Sequence, residues 1–167
     1  MPGQVKPIPE GYHTVTPYLS VNDAARAIDF YKRAFGAQEI GRMEGPPGKI
    51  GHAEIQIGDS KIMLADESPR SDCRSPQTLK GSTVNLFLYV RDVDSVFNQA
   101  VAAGAKAVAP PVDMFWGDRY GKLTDPFGHS WSVATHKEDV APAEMQRRAK
   151  TEMAKMEQQT KGAGSKG

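Results

Sequence analysis

The chain has 167 residues, enough for one domain of ~100–150 residues and a tail, but not for two independent cores. Its 39% hydrophobic residues can fill a core, and 21 basic against 20 acidic residues give a formal charge of +1, without the basic surplus of a nucleic-acid binder. No apolar run of ~18 residues could span a membrane, residues 1–7 lack the apolar heart of a secretory signal, and the single Cys73 excludes an intrachain disulfide or a CxxC metal site, so the expected setting is cytoplasmic, with neither nucleic acid nor membrane as partner.

Residues 1–12, with three prolines and two glycines, read as an extended lead-in. Residues 14–21 alternate, with Val15, Pro17, Leu19 and Val21 toward a core and Thr14, Thr16, Tyr18 and Ser20 on the other face of a strand. Pro17 cannot donate to a ladder, which puts this strand at an edge or seam. Asn22 or Asp23 caps a helix whose apolar positions are Ala24, Ala27, Ile28, Tyr31, Ala34 and Phe35, and Gly36 stops it. Three strands follow, over 38–44, 50–57 and 61–67, with Gly58-Asp59-Ser60 as a hairpin turn. Residues 68–81 read as a linker rich in Ser, Pro, Arg and Asp.

The pattern then restarts. Residues 83–90 form a strand with Val84, Leu86, Leu88 and Val90 on one face. Asp92 caps a second helix that ends at Gly104, and three more strands are expected over 106–115, 118–124 and 130–136. Val21 maps onto Val90, Gly36-Ala37 onto Gly104-Ala105 and Gly58 onto Gly128, a near-constant offset that marks a duplicated β-α-β-β-β unit. The domain is therefore placed at 13–140, with units 13–67 and 82–140. Beyond it, Pro142 can open a helix with Met145, Ala149, Met153 and Met156 roughly on one side, read as a surface helix packed on its own domain or frayed, and residues 161–167 read as disordered.

Several strings add a resemblance. Asp125-Pro126-Phe127-Gly128-His129 turns into the last strand, His52-Ala53-Glu54 precedes Gly58-Asp59-Ser60, and an aromatic and glycine run extends from Met114 to Gly121. With the tandem units, these resemble the vicinal oxygen chelate superfamily, which includes glyoxalase I, bleomycin-resistance proteins, fosfomycin-resistance enzymes and extradiol dioxygenases. Within it they are similar to a PhnB-like, glyoxalase-like branch. The resemblance implies an α+β fold, each unit curling its strands into a curved sheet around a ligand cavity with helices on the outer side. It also implies a homodimer, since many relatives pair.

Metal-dependent relatives place their ligands on the first and last strands of each unit. By strand pattern and repeat offset those positions fall here at Thr16, Met63, Asn85 and Ser132. Hydroxyl and thioether groups bind divalent cations poorly, and Asn85 alone offers a passable oxygen. No metal is expected at these positions and no cofactor is called for; a metal relocated to His52, Glu54, Glu67 or His136 is the alternative.

Strand alternation sends Thr16, Tyr18, His52, Glu54, Gln56, Met63, Glu67, Asn85, Phe87, Tyr89, Ser132 and His136 to the face away from the core, an aromatic and polar mixture suited to a small organic ligand. Trp116 and Arg119 would rim it, by stacking and a charge-assisted bond. His52 and Glu54 sit two apart on one strand and share a face, as an acid–base pair or as a pair that only satisfies itself. The expected function is metal-independent binding of a small organic molecule. The alternative is a lyase, isomerase or dioxygenase-type enzyme using His52 and Glu54; a third reading is an interaction module acting through the C-terminal helix.

Overall fold

The computed structural model describes residues 5–163. In chain order the elements are β1 (Tyr18–Val21), α1 (Ala24–Phe35), β2 (Gln38–Glu44), β3 (Ile50–Ile57), β4 (Ser60–Asp66), α2 (Pro76–Leu79), β5 (Asn85–Tyr89), α3 (Val93–Ala103), β6 (Lys106–Asp113), β7 (Asp118–Thr124), β8 (Ser130–His136) and α4 (Pro142–Ala163). The architecture is α+β, as expected: two mixed four-stranded sheets ordered β1-β4-β3-β2 and β5-β8-β7-β6, neither closed into a barrel. The duplication extends to strand register. In the parallel pairs Tyr18 lies opposite Met63 and, 69 residues on in both strands, Phe87 lies opposite Ser132.

Local chemistry starts and stops the two long helices. The Asp23 carboxylate accepts from Arg26 N at 3.1 Å and Asp92 accepts from Ser95 N at 3.0 Å, each satisfying an amide the helix cannot. Gly36 takes the left-handed conformation (φ 67°) that lets its N–H and that of Ala37 return to Lys32 O and Tyr31 O, both at 3.2 Å. α1 and α3 pack against each other and cover the same side of the two sheets, and Gln99 and Arg33 stitch them by side-chain bonds to backbone carbonyls of 2.9–3.2 Å.

Between helices and sheets lies a continuous core that includes Ile28, Tyr31, Ile55 and Leu64 of the first unit and Phe97, Leu123, Trp131 and Val133 of the second. Its polar hub is Asp125, only 4% exposed. The carboxylate accepts from Tyr31 Oη (2.7 Å), Trp131 Nε1 (2.9 Å) and the backbone N–H groups of Phe127 and His129 (both 2.9 Å). The turn of the second unit is thereby tied to the helix of the first. His129 adds a bridge from its Nε2 to Ser20 O at 3.1 Å, on the free edge of β1.

Several expected boundaries move. β1 begins at Tyr18 rather than at residue 14: Pro17 has no N–H, although its carbonyl still accepts from Met63 N at 2.9 Å, and Val15 is 82% exposed instead of facing the core. β5 likewise starts at Asn85, leaving Val84 exposed. The linker holds the short helix α2, capped by Ser75. β6 ends at Asp113, because residues 114–117 form a turn in which Gly117 N donates to Met114 O at 3.1 Å. α4 runs through Ala163, so the disorder expected from residue 161 is corrected as far as 163; residues 1–4 of the lead-in and 164–167 of the tail lie outside the described residues. Among the described residues, no helix is long and apolar enough to cross a membrane.

Candidate functional site

The helices cover one face of each sheet, and the other face carries most of the expected site residues. Cross-strand register aligns the two open faces row by row, since directly opposed residues share a face. In the first unit one row is Gly41, Glu54, Met63, Tyr18; the corresponding row of the second is Ala109, Lys122, Ser132, Phe87. The next rows place His52 beside Met43, and Tyr120 beside Val112 and Ala134. Glu54 and Lys122, of opposite charge, are thus repeat equivalents.

On the first face Tyr18 Oη lies 2.8 Å from His52 Nδ1, and His52 Nε2 lies 3.2 Å from Glu54 Oε1. The other carboxylate oxygen accepts from the Tyr12 hydroxyl. Bonds from Tyr12 and His52 hold the Glu54 pKa below the usual carboxylate value, and burial with the adjacent carboxylate pushes Tyr12 up to about 12. Because ionised Glu54 can only accept, neutral His52 carries its proton on Nε2, and Nδ1 accepts from Tyr18. The chain therefore runs Tyr18 to His52 to Glu54. Tyr12 arrives on the lead-in, which crosses this face: Lys61 Nζ donates to Glu10 O at 3.1 Å and sits 4.1 Å from the Tyr12 ring centre. A cavity of about 490 Å³ remains beneath it, lined by Ile8, Tyr12, Thr16, Glu54 and Met63 among others.

The second face carries an aromatic shelf. Phe87 lies 5.0 Å from Tyr89 and 5.8 Å from Tyr120, Tyr120 lies 5.8 Å from Trp116, and Trp116 lies 5.2 Å from Phe115, all between ring centres. Phe87 and Tyr89 are 44% and 65% exposed. Beneath the shelf the buried Asp118 carboxylate accepts from Tyr89 Oη (2.9 Å) and Trp116 Nε1 (3.1 Å), and it meets His136 Nδ1 at 2.8 Å. Bonds to Asp118 and then to Asp139 raise the His136 pKa above its ordinary value. Gly117 aims Trp116: at φ 101°, a Cβ there would lie 2.2 Å from Glu138 O, so no other residue fits. Below, Asn85 Nδ2 donates to Ser132 Oγ at 2.9 Å, Ser130 Oγ donates to Asn85 Oδ1 at 2.9 Å, and Tyr120 Oη lies 2.9 Å from Ser132 Oγ. Where the two faces approach, a cavity of about 380 Å³ is lined by Thr16, Lys61, Asn85 and Phe87 among others.

Two expected site residues turn away. Arg119 points to the helix side, where it holds Asp94 at 2.6 and 2.8 Å and Asp113 at 3.3 Å; strand alternation forbids it the face of Asp118 and Tyr120. Glu67 accepts from Thr78 Oγ1 at 2.6 Å and Ser75 N at 3.3 Å, anchoring α2 instead of facing the shelf that His136 joins. Tyr12, Asp118, Tyr120 and Lys122 escaped the sequence reading. Alternation over β7, with Gly121 and Leu123 toward the core, would have found the last three; nothing local to Tyr12 announces its partner.

The four positions where metal-dependent relatives hold their ion do not suit one. Thr16 and Met63 bring a hydroxyl and a thioether, and the Asn85 oxygen and Ser132 hydroxyl are bonded to neighbours. Among the described residues no group of three or more His, Cys, Asp or Glu is placed to hold a metal ion.

Two side-by-side β-α-β-β-β units with helices on one face define the glyoxalase-type fold. The profile of the Glyoxalase/Bleomycin resistance protein/Dioxygenase superfamily matches residues 12–133, and the chain belongs to that superfamily. An uncharacterized protein of Mycobacterium bovis is 44% identical over 135 residues, 79% of this chain and 89% of its own length. The crystal structure of an Arabidopsis thaliana gene product is similar with a TM-score of 0.62 and 29% identity, over 74% of this chain and 98% of that one. TioX from Micromonospora sp. ML1 is similar with a TM-score of 0.59 and 30% identity, over the same shares.

Proposed function

We propose that the protein binds a small organic molecule on its open sheet faces, without the divalent metal of many superfamily members, and that it falls in the PhnB-like branch as a cytoplasmic homodimer. The observation that carries this is the aromatic shelf, in which Phe87 and Tyr89 are exposed and Trp116 and Tyr120 half-buried. Aromatic rings left open to water offer a planar ligand more than they offer the fold. The exposed apolar groups of these faces, Tyr18 and Met43 with Phe87, Tyr89 and Val112, also favour a second copy as cover. A small-molecule screen by thermal shift, run with and without chelator beside elemental analysis, tests the reading. Substoichiometric zinc, nickel, manganese and iron and chelator-resistant stabilisation by a planar ligand are expected. One tightly held metal per chain would overturn it.

A second reading, a lyase or isomerase of the same superfamily, rests on the Tyr18–His52–Glu54 chain. With Glu54 ionised and His52 protonated on Nε2, a proton leaving Tyr18 Oη passes to Nδ1, and the imidazolium is held by the carboxylate. Tyr18, 53% exposed, is then the group that meets the substrate. Proton exchange from a bound carbon acid, abolished in Tyr18→Phe, would support this reading over simple binding.

A further inference from the structure

The second open face carries a charge that the fold leaves unused. Lys122 points to the same side as Tyr120 and Ser132, is half-buried, and has no hydrogen bond or ion pair among the described residues. Its cross-strand neighbours are Ala109 and Ser132, and Phe87 stands one strand further along the same row. Lys106 continues the basic character of this end of the sheet: it lies opposite Thr124, two positions beyond Lys122, and is exposed without an ion pair. The acid of the same face, Asp118, stands four residues away, about 13 Å along the strand, and is matched by His136, which Asp139 also meets at 2.9 Å.

Arg26, Lys80, Arg91 and Lys137 also have no partner among the described residues but are exposed, whereas Lys122 is half-buried. Several other long cations are paired. Arg119 holds two aspartates, Arg148 holds Glu138 and Glu144, Lys49 holds Asp66, and Lys32 holds Glu39. A half-buried lysine in the same row as Phe87 gives up part of its hydration with no bond in return among the described residues. The neighbouring Asn85–Ser132–Tyr120 network supplies further polar atoms within the same rows, and Asn85 keeps one amide hydrogen beyond its bond to Ser132.

We infer that the ligand of the second unit is a planar organic anion whose apolar body lies on Phe87, Tyr89, Trp116 and Tyr120 and whose carboxylate or equivalent acidic group is read by Lys122. The inference rests on the small-molecule reading above and adds the ligand's charge. An ammonium in this position rewards an anion and penalises a cation of the same shape, whereas the aromatic faces alone would favour the cation.

The test uses the full chain and three probes of one shape: 2-naphthoate, 2-naphthylmethanol and 2-naphthylmethylammonium, titrated by calorimetry at low salt. The expected result is that naphthoate binds at least tenfold more tightly than the other two. Lys122→Met should bring naphthoate down to the level of the alcohol and leave the alcohol unchanged, and Lys122→Arg should keep the preference. The advantage should also shrink as salt is raised. If the alcohol binds and naphthoate shows no advantage, or the advantage survives in Lys122→Met, the charge assignment is wrong and the small-molecule reading stands. If none of the three binds, both fall.

Discussion

At the scale of single residues, each open face carries a titrating group held by named partners. His136 sits between Asp118 and Asp139, at 2.8 and 2.9 Å, and both favour its charged form. A nuclear magnetic resonance titration should place its imidazole above the usual value of about 6.5, and Asp139→Asn should lower it. Since the folded pKa is raised above the unfolded one, the stability this pair contributes is fully present below the unfolded value. It is lost as the pH rises through the folded value. A His136 midpoint at or below the unfolded one would remove this pair from the account. For Glu54 the sign is opposite: its lowered pKa gives stability present above the ordinary carboxylate value and lost as the pH falls through the folded value. Tyr12→Phe removes the hydroxyl that pins the lead-in to Glu54. It should cost about 1 kcal/mol, since the pair is partly exposed, and limited proteolysis should cut residues 5–14 faster than in the wild type.

At the scale of elements, the helices, their caps and the hairpins were legible because each is written locally. Asp23 and Gly36 bracket one 3.6-residue pattern and Asp92 and Gly104 another, and both helices stand where their caps put them. The short first strand of each unit was harder to bound. Alternation through Val15 and Val84 continues past the last residue that can pair, and pairing, not periodicity, decides where a strand begins. The hub at Asp125 was invisible, because its partners Tyr31 and Trp131 come from different units and meet only in the folded chain. That hub carries a prediction. Asp125→Ala strands a buried hydroxyl, an indole N–H and two backbone N–H groups, so urea unfolding should show a loss of roughly 3 kcal/mol or more. Tyr31→Phe, which removes one partner and leaves the others bonded, should cost about 1 kcal/mol. Equal losses in the two variants would mean that Asp125 serves Tyr31 alone.

At the scale of the whole molecule, duplication explains why so much of the candidate site could be read and why its charge could not. A repeat offset of 69 assigns faces to both units at once, so Tyr18 predicts Phe87 and Met63 predicts Ser132. It does not say that Glu54 and Lys122 carry opposite signs for different partners, or that a segment preceding the first strand will lie across one face and leave the other open. The C-terminal helix lies outside the repeat, as α2 does in the linker, and among the described residues it is held near its beginning. Arg148 donates to Glu138 at 2.8 Å and reaches Phe115 O at 3.4 Å, beside the Trp116 turn, whereas Met153 and Met156 are 64% and 60% exposed. Removing residues 153–167 should therefore change stability by under about 0.5 kcal/mol, as for surface changes generally. Removing residues 142–167 takes away Arg148 and should lower stability further and disturb Trp116, seen as a shift in its fluorescence against the buried Trp131. Light scattering on both truncated forms gives the deciding measurement. An unchanged mass in the shorter truncation confirms a helix that serves its own domain, and a change of mass there would assign its exposed methionines to an interface between copies.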